Sequence, residues 1–363
     1  MITRGETPQP RRACVPPGGG ATAYRELPAP GRWAHSLAGT AAFLLLAAGC
    51  ALRVRRDLLA RLRRSREVAE AAQRALLRPL PPRIDGLVLA GAQLSATRGA
   101  AIGGDLYGAV PTAHGVRVVI GDVRGHGLPA AAAAAAVLGA FREAAYDEPS
   151  LAGVLRGMER ALGRHVRDRT AAEPHTAGAA AAGSAAEEFV TVLLLQIAED
   201  GTLTALNCGH PWPYLLRARA GPRPCGALPH AAAARTAADP APAPPLPVPA
   251  PAGPWPDVRA LDGGDPLPPL GVVPVPDGLE AGDCGRLGPG DLLFLHTDGA
   301  EDSRDAAGRF FPLPRVLAGI AARQPAVTPA RLVAGVHAAL LRHTGGHPAD
   351  DAALLAVRSD RCA

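Results

Sequence analysis

Residues 116–127 read Val116-Arg117-Val118-Val119-Ile120-Gly121-Asp122-Val123-Arg124-Gly125-His126-Gly127. The apolar run predicts a buried strand over Val116–Val123, and Asp122 falls at its end. A carboxylate closing a buried strand is costly unless something cationic neutralises it. Three further acidic motifs stand at strand ends or in turns: Gly103-Gly104-Asp105, Thr297-Asp298-Gly299 after Leu-Leu-Phe-Leu-His, and Asp350-Asp351. The chain has no lysine, and few arginines neighbour these acids. Converging carboxylates without cationic partners point to a divalent metal, and all-oxygen donors select Mg²⁺ or Mn²⁺ over zinc. Any single Asp-Gly pair is equally a turn. Four together carry the reading.

Working outward, short apolar runs predict strands over Leu87–Ala96, Val116–Val123, Phe189–Ala198, Thr202–Cys208, Pro213–Arg217, Asp291–His296 and Ala352–Val357. Helices are predicted after Leu128 and Ser150 and near Pro312 and Thr328, with Ser150 and Thr328 as N-caps and Pro129 and Pro329 in first turns. Strands grouped around paired helices, rather than strict alternation, favour an α+β layered sandwich. This places one domain over residues 79–358. It carries two low-complexity insertions, the Ala/Gly/Ser-rich 170–186 and the proline-rich 220–263.

The N-terminal quarter has another texture. Residues 1–32 are rich in Pro, Gly and Arg without apolar periodicity and are expected to be a disordered tail. Trp33–Leu52 is uncharged for twenty residues, about the thickness of a bilayer core when helical. Its alternatives are a buried helix, an amphipathic segment or, from Ala47-Ala48-Gly49-Cys50, a lipoprotein-like box. Residues 53–66 hold seven arginines and one aspartate, a local +6 on a chain of net charge +5. The positive charge is therefore one block, which excludes a generally nucleic-acid-coating protein. Placed after the span, it predicts a cell-membrane protein with its C-terminal part in the cytoplasm; a cytoplasmic chain is the alternative. Residues 53–78 form the linking segment. Leu58, Leu62, Ser65, Ala69, Ala72 and Leu76 repeat there at spacings of four and three, a weak homodimer seam on a helix ending at Pro79. The six cysteines are scattered with no C-x-x-C pair, which argues against a disulfide framework or structural zinc.

The ordered motifs GGDLYG, IGDVRGHGLPAA, EEFVTVLLL, NCGHPWPYLL, PPLGV, LGPGDLLFLHTDGAEDSRD and DDAALLAV resemble the PPM-type, stage-II-sporulation-E-like serine/threonine protein phosphatases over residues 75–358. The resemblance implies an α-β-β-α sandwich with two Mn²⁺ or Mg²⁺ ions at one end. A water activated by both ions would attack the phosphorus of phosphoserine or phosphothreonine. It further implies that Asp105 and Asp122 are the catalytic first-metal or bridging ligands, that Val123 lends its carbonyl, and that Asp298 and Asp350 complete the second metal. The implied substrate is a phosphorylated regulatory protein such as an anti-sigma-factor antagonist, in bacterial signalling.

Several positions depart from the family pattern. Gly108 stands where a second acid is usual, Arg124 where serine is common, and Asp302 where glutamate is common. Arg124 either holds a phosphate oxygen bidentately, as a catalytic group, or is a surface arginine paired with an acid. His126 is expected to be a loop residue, and His296 and Cys208 packing residues. His210 is expected to stabilise the turn between two strands. The competing reading is a silent scaffold of the same fold that only binds a phosphoprotein, and the four aspartates argue against it.

Overall fold

The computed structural model describes residues 41–61, 80–94, 103–172, 188–218, 258–324 and 327–361. The chain divides into two units, residues 1–60 and 61–363. In the first, a helix, α1 (41–61), runs through the apolar stretch into the basic block, and every residue of it is exposed. One helix thus runs unbroken from the uncharged stretch into the linking segment. The rest of its seam beyond Arg61 lies outside the described residues, as do the tail 1–32 and Trp33–Thr40.

The second unit is organised by strands that are apolar on both faces. β4 (Gly115–Val123) and β5 (Val190–Ile197) are the centre of a five-stranded antiparallel sheet in the order β3-β4-β5-β6-β9. β3 is Leu106–Thr112, β6 Thr202–Cys208 and β9 Gly282–Arg286. A six-stranded sheet, β1-β2-β11-β10-β7-β8, is built around β11 (Ala352–Ser359) and β10 (Leu292–His296). Its remaining strands are β1 (Arg83–Ile84), β2 (Leu87–Leu94), β7 (Tyr214–Leu216) and β8 (Val258–Ala260).

Alternation along each strand makes the layers. Val116, Val118, Ile120, Leu193, Leu195, Leu293, Leu295, Leu355 and Val357 fill the space between the sheets. On the outer face of the first sheet, Val119, Val192 and Leu194 pack against α2 (Leu128–Asp147) and α3 (Leu151–Ala172). On the outer face of the second, Phe294, Leu354 and Ala356 meet α5 (Leu313–Arg323) and α6 (Pro329–His343). The fold is the expected α-β-β-α sandwich. Thr328 caps α6, its hydroxyl accepting from the Arg331 N–H at 3.3 Å.

Four strands escaped sequence reading, β1, β3, β8 and β9, and all four are sheet edges. An edge strand is covered less and tolerates proline, so its apolar signal is weak. β3 carries Gly108 and Pro111, and β9 reads Gly-Asp-Cys-Gly-Arg. The insertion bounds shift accordingly. Thr170–Ala172 close α3, and residues 258–263 belong to the sandwich: β8 pairs with β7, and Leu261 is buried. The stretches 173–187 and 219–257 lie outside the described residues.

Among the described residues one helix, α2, is long and apolar enough to cross a membrane. It spends that apolarity on the core, burying Ala130, Val137, Leu138 and Phe141.

β4 also directs Arg117 to the helix side, where it is fully buried. The guanidinium donates to the Ala145 carbonyl at 3.0 Å, the Glu148 carbonyl at 2.6 Å, the Pro149 carbonyl at 2.9 Å and Gln196 Oε1 at 3.0 Å. It thereby satisfies the carbonyls where α2 ends and α3 begins, which have no helical partner. Arg117→Met should leave them unpaired and lower the unfolding free energy by about 3 kcal/mol, each stranded group costing roughly 1–3 kcal/mol. Urea denaturation of the purified chain measures this, and an unchanged midpoint would refute the clamp.

Candidate active site

Four strand ends meet at one end of the sandwich. β3 and β4 pair with Leu106 opposite Gly121, and β10 and β11 with His296 opposite Leu354. Asp105 therefore lies just ahead of β3 and Asp122 near the end of β4. Asp298 opens a one-turn helix, α4 (Asp298–Glu301), directly after β10, and Asp350 and Asp351 precede β11. The structure brings Asp105, Asp122, Asp298 and Asp350 into one electrostatic field. It adds Asp351, which the sequence reading named in the acidic dipeptide but did not place among the ligands.

Asp105 is the extreme member. It is 2% exposed, and neither carboxylate oxygen has a hydrogen-bond partner of normal geometry. Burial first, and then the charge of Asp122, hold its pKa well above the usual carboxylate range. The nearby Thr297 hydroxyl offsets only part of this; it already accepts the Ala353 N–H at 2.9 Å. Asp122 is pushed up to about 7 by burial, then by Asp298, Asp350 and Asp351. Asp298 is raised by burial and, more weakly, by Asp350.

Backbone approaches explain the neighbouring glycines. A Cβ on Gly104 would run into the Val123 carbonyl oxygen, and the Val123 N–H donates to the Gly104 carbonyl at 3.2 Å. A Cβ on Gly299 would collide with the Asp351 carbonyl. Gly108 faces α2, with Leu138 Cδ1 3.3 Å and Phe141 Cε1 3.5 Å from where its Cβ would stand. A side chain there would start into the packing of Leu138 and Phe141.

Arg124 is exposed on the loop after β4, its N–H donating to the Phe189 carbonyl at 3.0 Å and its guanidinium lying 5.3 Å from the Phe189 ring centroid. His126 is exposed on the same loop, and Asp302 is exposed beyond α4. His296 is buried and stacks on Tyr214 with ring centroids 5.6 Å apart. Cys208 is buried, and burial pushes its thiol up to about 12.

Among the described residues no three His, Cys, Asp or Glu side chains close into a finished metal cage. Carboxylates of one sign hold each other apart. The fit to a divalent cation rests instead on Asp105, whose two orphaned oxygens, buried beside other acids, have a deficit that an ion would cancel. The donors are all oxygen, which suits Mg²⁺ or Mn²⁺.

The sandwich and its acidic end are the arrangement that the sequence resemblance to the PPM-type family implies. The family model for stage II sporulation protein E matches residues 112–232 and 258–360. The chain belongs to that family. Among solved structures it is similar to the RsbU and RsbW domains of a Mycobacterium tuberculosis protein, at 23% identity and a TM-score of 0.50, covering 76% of this chain and 61% of that one. It is also similar to the SiaA PP2C domain of Pseudomonas aeruginosa, at 19% identity and a TM-score of 0.51, covering 80% of this chain and 95% of that one. No curated protein matches it by sequence.

A carboxyl whose folded pKa lies above its unfolded value favours folding while protonated. For Asp122 that contribution is complete below the ordinary 3.8 and gone once pH passes about 7. His210 titrates in the opposite sense, since burial pushes it down to about 3, so the comparison must be with a variant. In EDTA, Asp122→Asn should melt above wild type at pH 8, with the difference closing towards pH 4. Differential scanning fluorimetry reads it, and a pH-independent difference would contradict the shift.

Proposed function

We propose that the chain hydrolyses phosphoserine or phosphothreonine on a regulatory protein in bacterial signalling. Two Mn²⁺ or Mg²⁺ ions would be held by Asp105, Asp122, the Val123 carbonyl, Asp298 and Asp350. The observation that carries this is the buried Asp105 carboxylate without a donor, ringed by other acids. Bound there, such ions supply Lewis-acid polarisation of phosphoryl oxygens and lower the pKa of bound water. The protein's own part is placement: Asp105 and Asp122 come from one sheet, Asp298 and Asp350 from the other. Arg124, exposed beside Asp122, is within reach of a phosphate at the rim and offers a planar fork of donors to its oxygens. That open rim suits a phosphate carried on a protein surface, such as an anti-sigma-factor antagonist.

The purified full chain is expected to release phosphate from p-nitrophenyl phosphate and from a phosphoserine peptide with Mn²⁺ and not with EDTA. Asp122→Asn and Asp298→Asn should drop turnover to background while far-UV circular dichroism stays that of wild type. Wild-type turnover in either variant would end the two-ion reading.

We further propose that Trp33–Leu52 anchors the chain in the cell membrane, with residues 61–363 in the cytoplasm and a weak homodimer forming through 54–78. Support comes from the exposure of Phe43, Leu44, Leu45 and Leu46, which are 63–75% accessible on α1 and followed directly by the arginine block. Membrane fractionation tests it: the full chain should resist carbonate extraction, and recovery in the soluble fraction would overturn the anchor.

A further inference from the structure

We propose that His210 is a positioning residue, a strut between the two sheets that fixes the spacing of the strand ends bearing Asp122 and Asp298. The proposal rests on the two-ion reading above. Two ions held here would take ligands from both sheets at once, since Asp105 and Asp122 belong to one and Asp298 and Asp350 to the other. The layer between the sheets is apolar side chains, whose attraction is non-directional. It holds the sheets together without fixing how they register along each other. Directional bonds across the layer do that.

His210 supplies them from the crossing between β6, in one sheet, and β7, in the other. Its side chain is buried, with Nε2 3.1 Å from the His296 carbonyl oxygen and Nδ1 3.1 Å from the Thr191 hydroxyl. A carbonyl only accepts, so Nε2 carries the proton. Nδ1 is then the acceptor, and Thr191 donates to it. Both contacts lie directly behind the site. Thr191 is the cross-strand partner of Asp122, and its hydroxyl lies 3.5 Å from the Asp122 carbonyl oxygen. His296 is two residues ahead of Asp298.

The mount is itself rigid. Asn207 Oδ1 accepts from the His210 N–H at 2.8 Å, and its Nδ2 donates to the His210 carbonyl at 2.8 Å. Asn207 thus fixes the backbone of the crossing without the imidazole. A residue that served only the turn would not need a ring reaching both sheets.

The test is isothermal titration of Mn²⁺ into the purified full chain, with melting in EDTA measured alongside. His210→Ala should weaken Mn²⁺ binding about tenfold or more, the usual scale for a residue that orients ligands. It should also lower kcat on p-nitrophenyl phosphate with little change in KM. His210→Gln keeps one donor and one acceptor and should recover most of both. Thr191→Val removes only the hydroxyl, should shift Mn²⁺ affinity the same way by less, and decides the matter if the alanine variant does not fold. Wild-type Mn²⁺ affinity and kcat in these variants, with only the melting point lowered, would make His210 a turn residue and overturn the strut. A wild-type chain that binds no Mn²⁺ would remove the two-ion reading itself, and the strut with it.

Discussion

Mutual repulsion among carboxylates at one end of a β-sandwich is the constraint on which the rest of this structure turns. Asp105 is almost wholly removed from water with no donor on either oxygen, and it shares its field with Asp122, Asp351 and Asp298. Such a cluster destabilises the protein without a counterion, so its persistence requires that the surrounding architecture over-determine it. That architecture is the two-layer core, with Asp105 just ahead of β3, Asp122 near the end of β4, Asp298 after β10, and Asp350 and Asp351 ahead of β11. Within each sheet the backbone ladders fix the strand ends, so acids on neighbouring strands have little freedom to swing apart.

The second buried charge is handled in the opposite way. Arg117 lies on β4 a few residues from Asp122 and is as buried as Asp105, yet donates to four oxygens. Its partners are three backbone carbonyls and a side-chain amide, none of them a carboxylate. The sheet thus carries a satisfied cation on β4 and, just ahead of β3, the unsatisfied carboxylate of Asp105. The difference separates a structural group from one that awaits a ligand: where folding alone is served, the chain provides the partners itself.

What was legible in the sequence follows from the same physics. The central strands are long apolar runs because both faces are covered, and they were read nearly to their ends. The edges β3 and β9 hold Pro111 and several glycines, with little apolar signal, and could be found only through their pairing partners. Asp122 and Asp298 stood out because a charge beside glycine at the end of an apolar run is anomalous, and Asp105 through its two preceding glycines. Asp351 did not, since the dipeptide hides which acid turns inward. The surroundings of Gly108 were equally hidden, because its packing under α2 depends on contacts distant in sequence.

The crossing from one sheet to the other shows how a motif of mixed composition can be read only once the layers are known. In Asn207-Cys208-Gly209-His210, Asn207 binds the backbone of His210 in both directions, and Cys208 ends β6 in the core. Gly209 adopts a φ of +67° that places it against Pro269. From sequence, this is a turn with a histidine in it. In three dimensions the crossing occurs at the acidic end, so the same few residues that join the sheets covalently also bond them non-covalently behind Asp122 and Asp298. A sandwich whose sheets were joined only at the far end would leave its ligand-bearing strand ends to apolar packing alone. Here the crossing and the acids share one end, so directional contacts between the layers fall where the chemistry demands the tightest spacing.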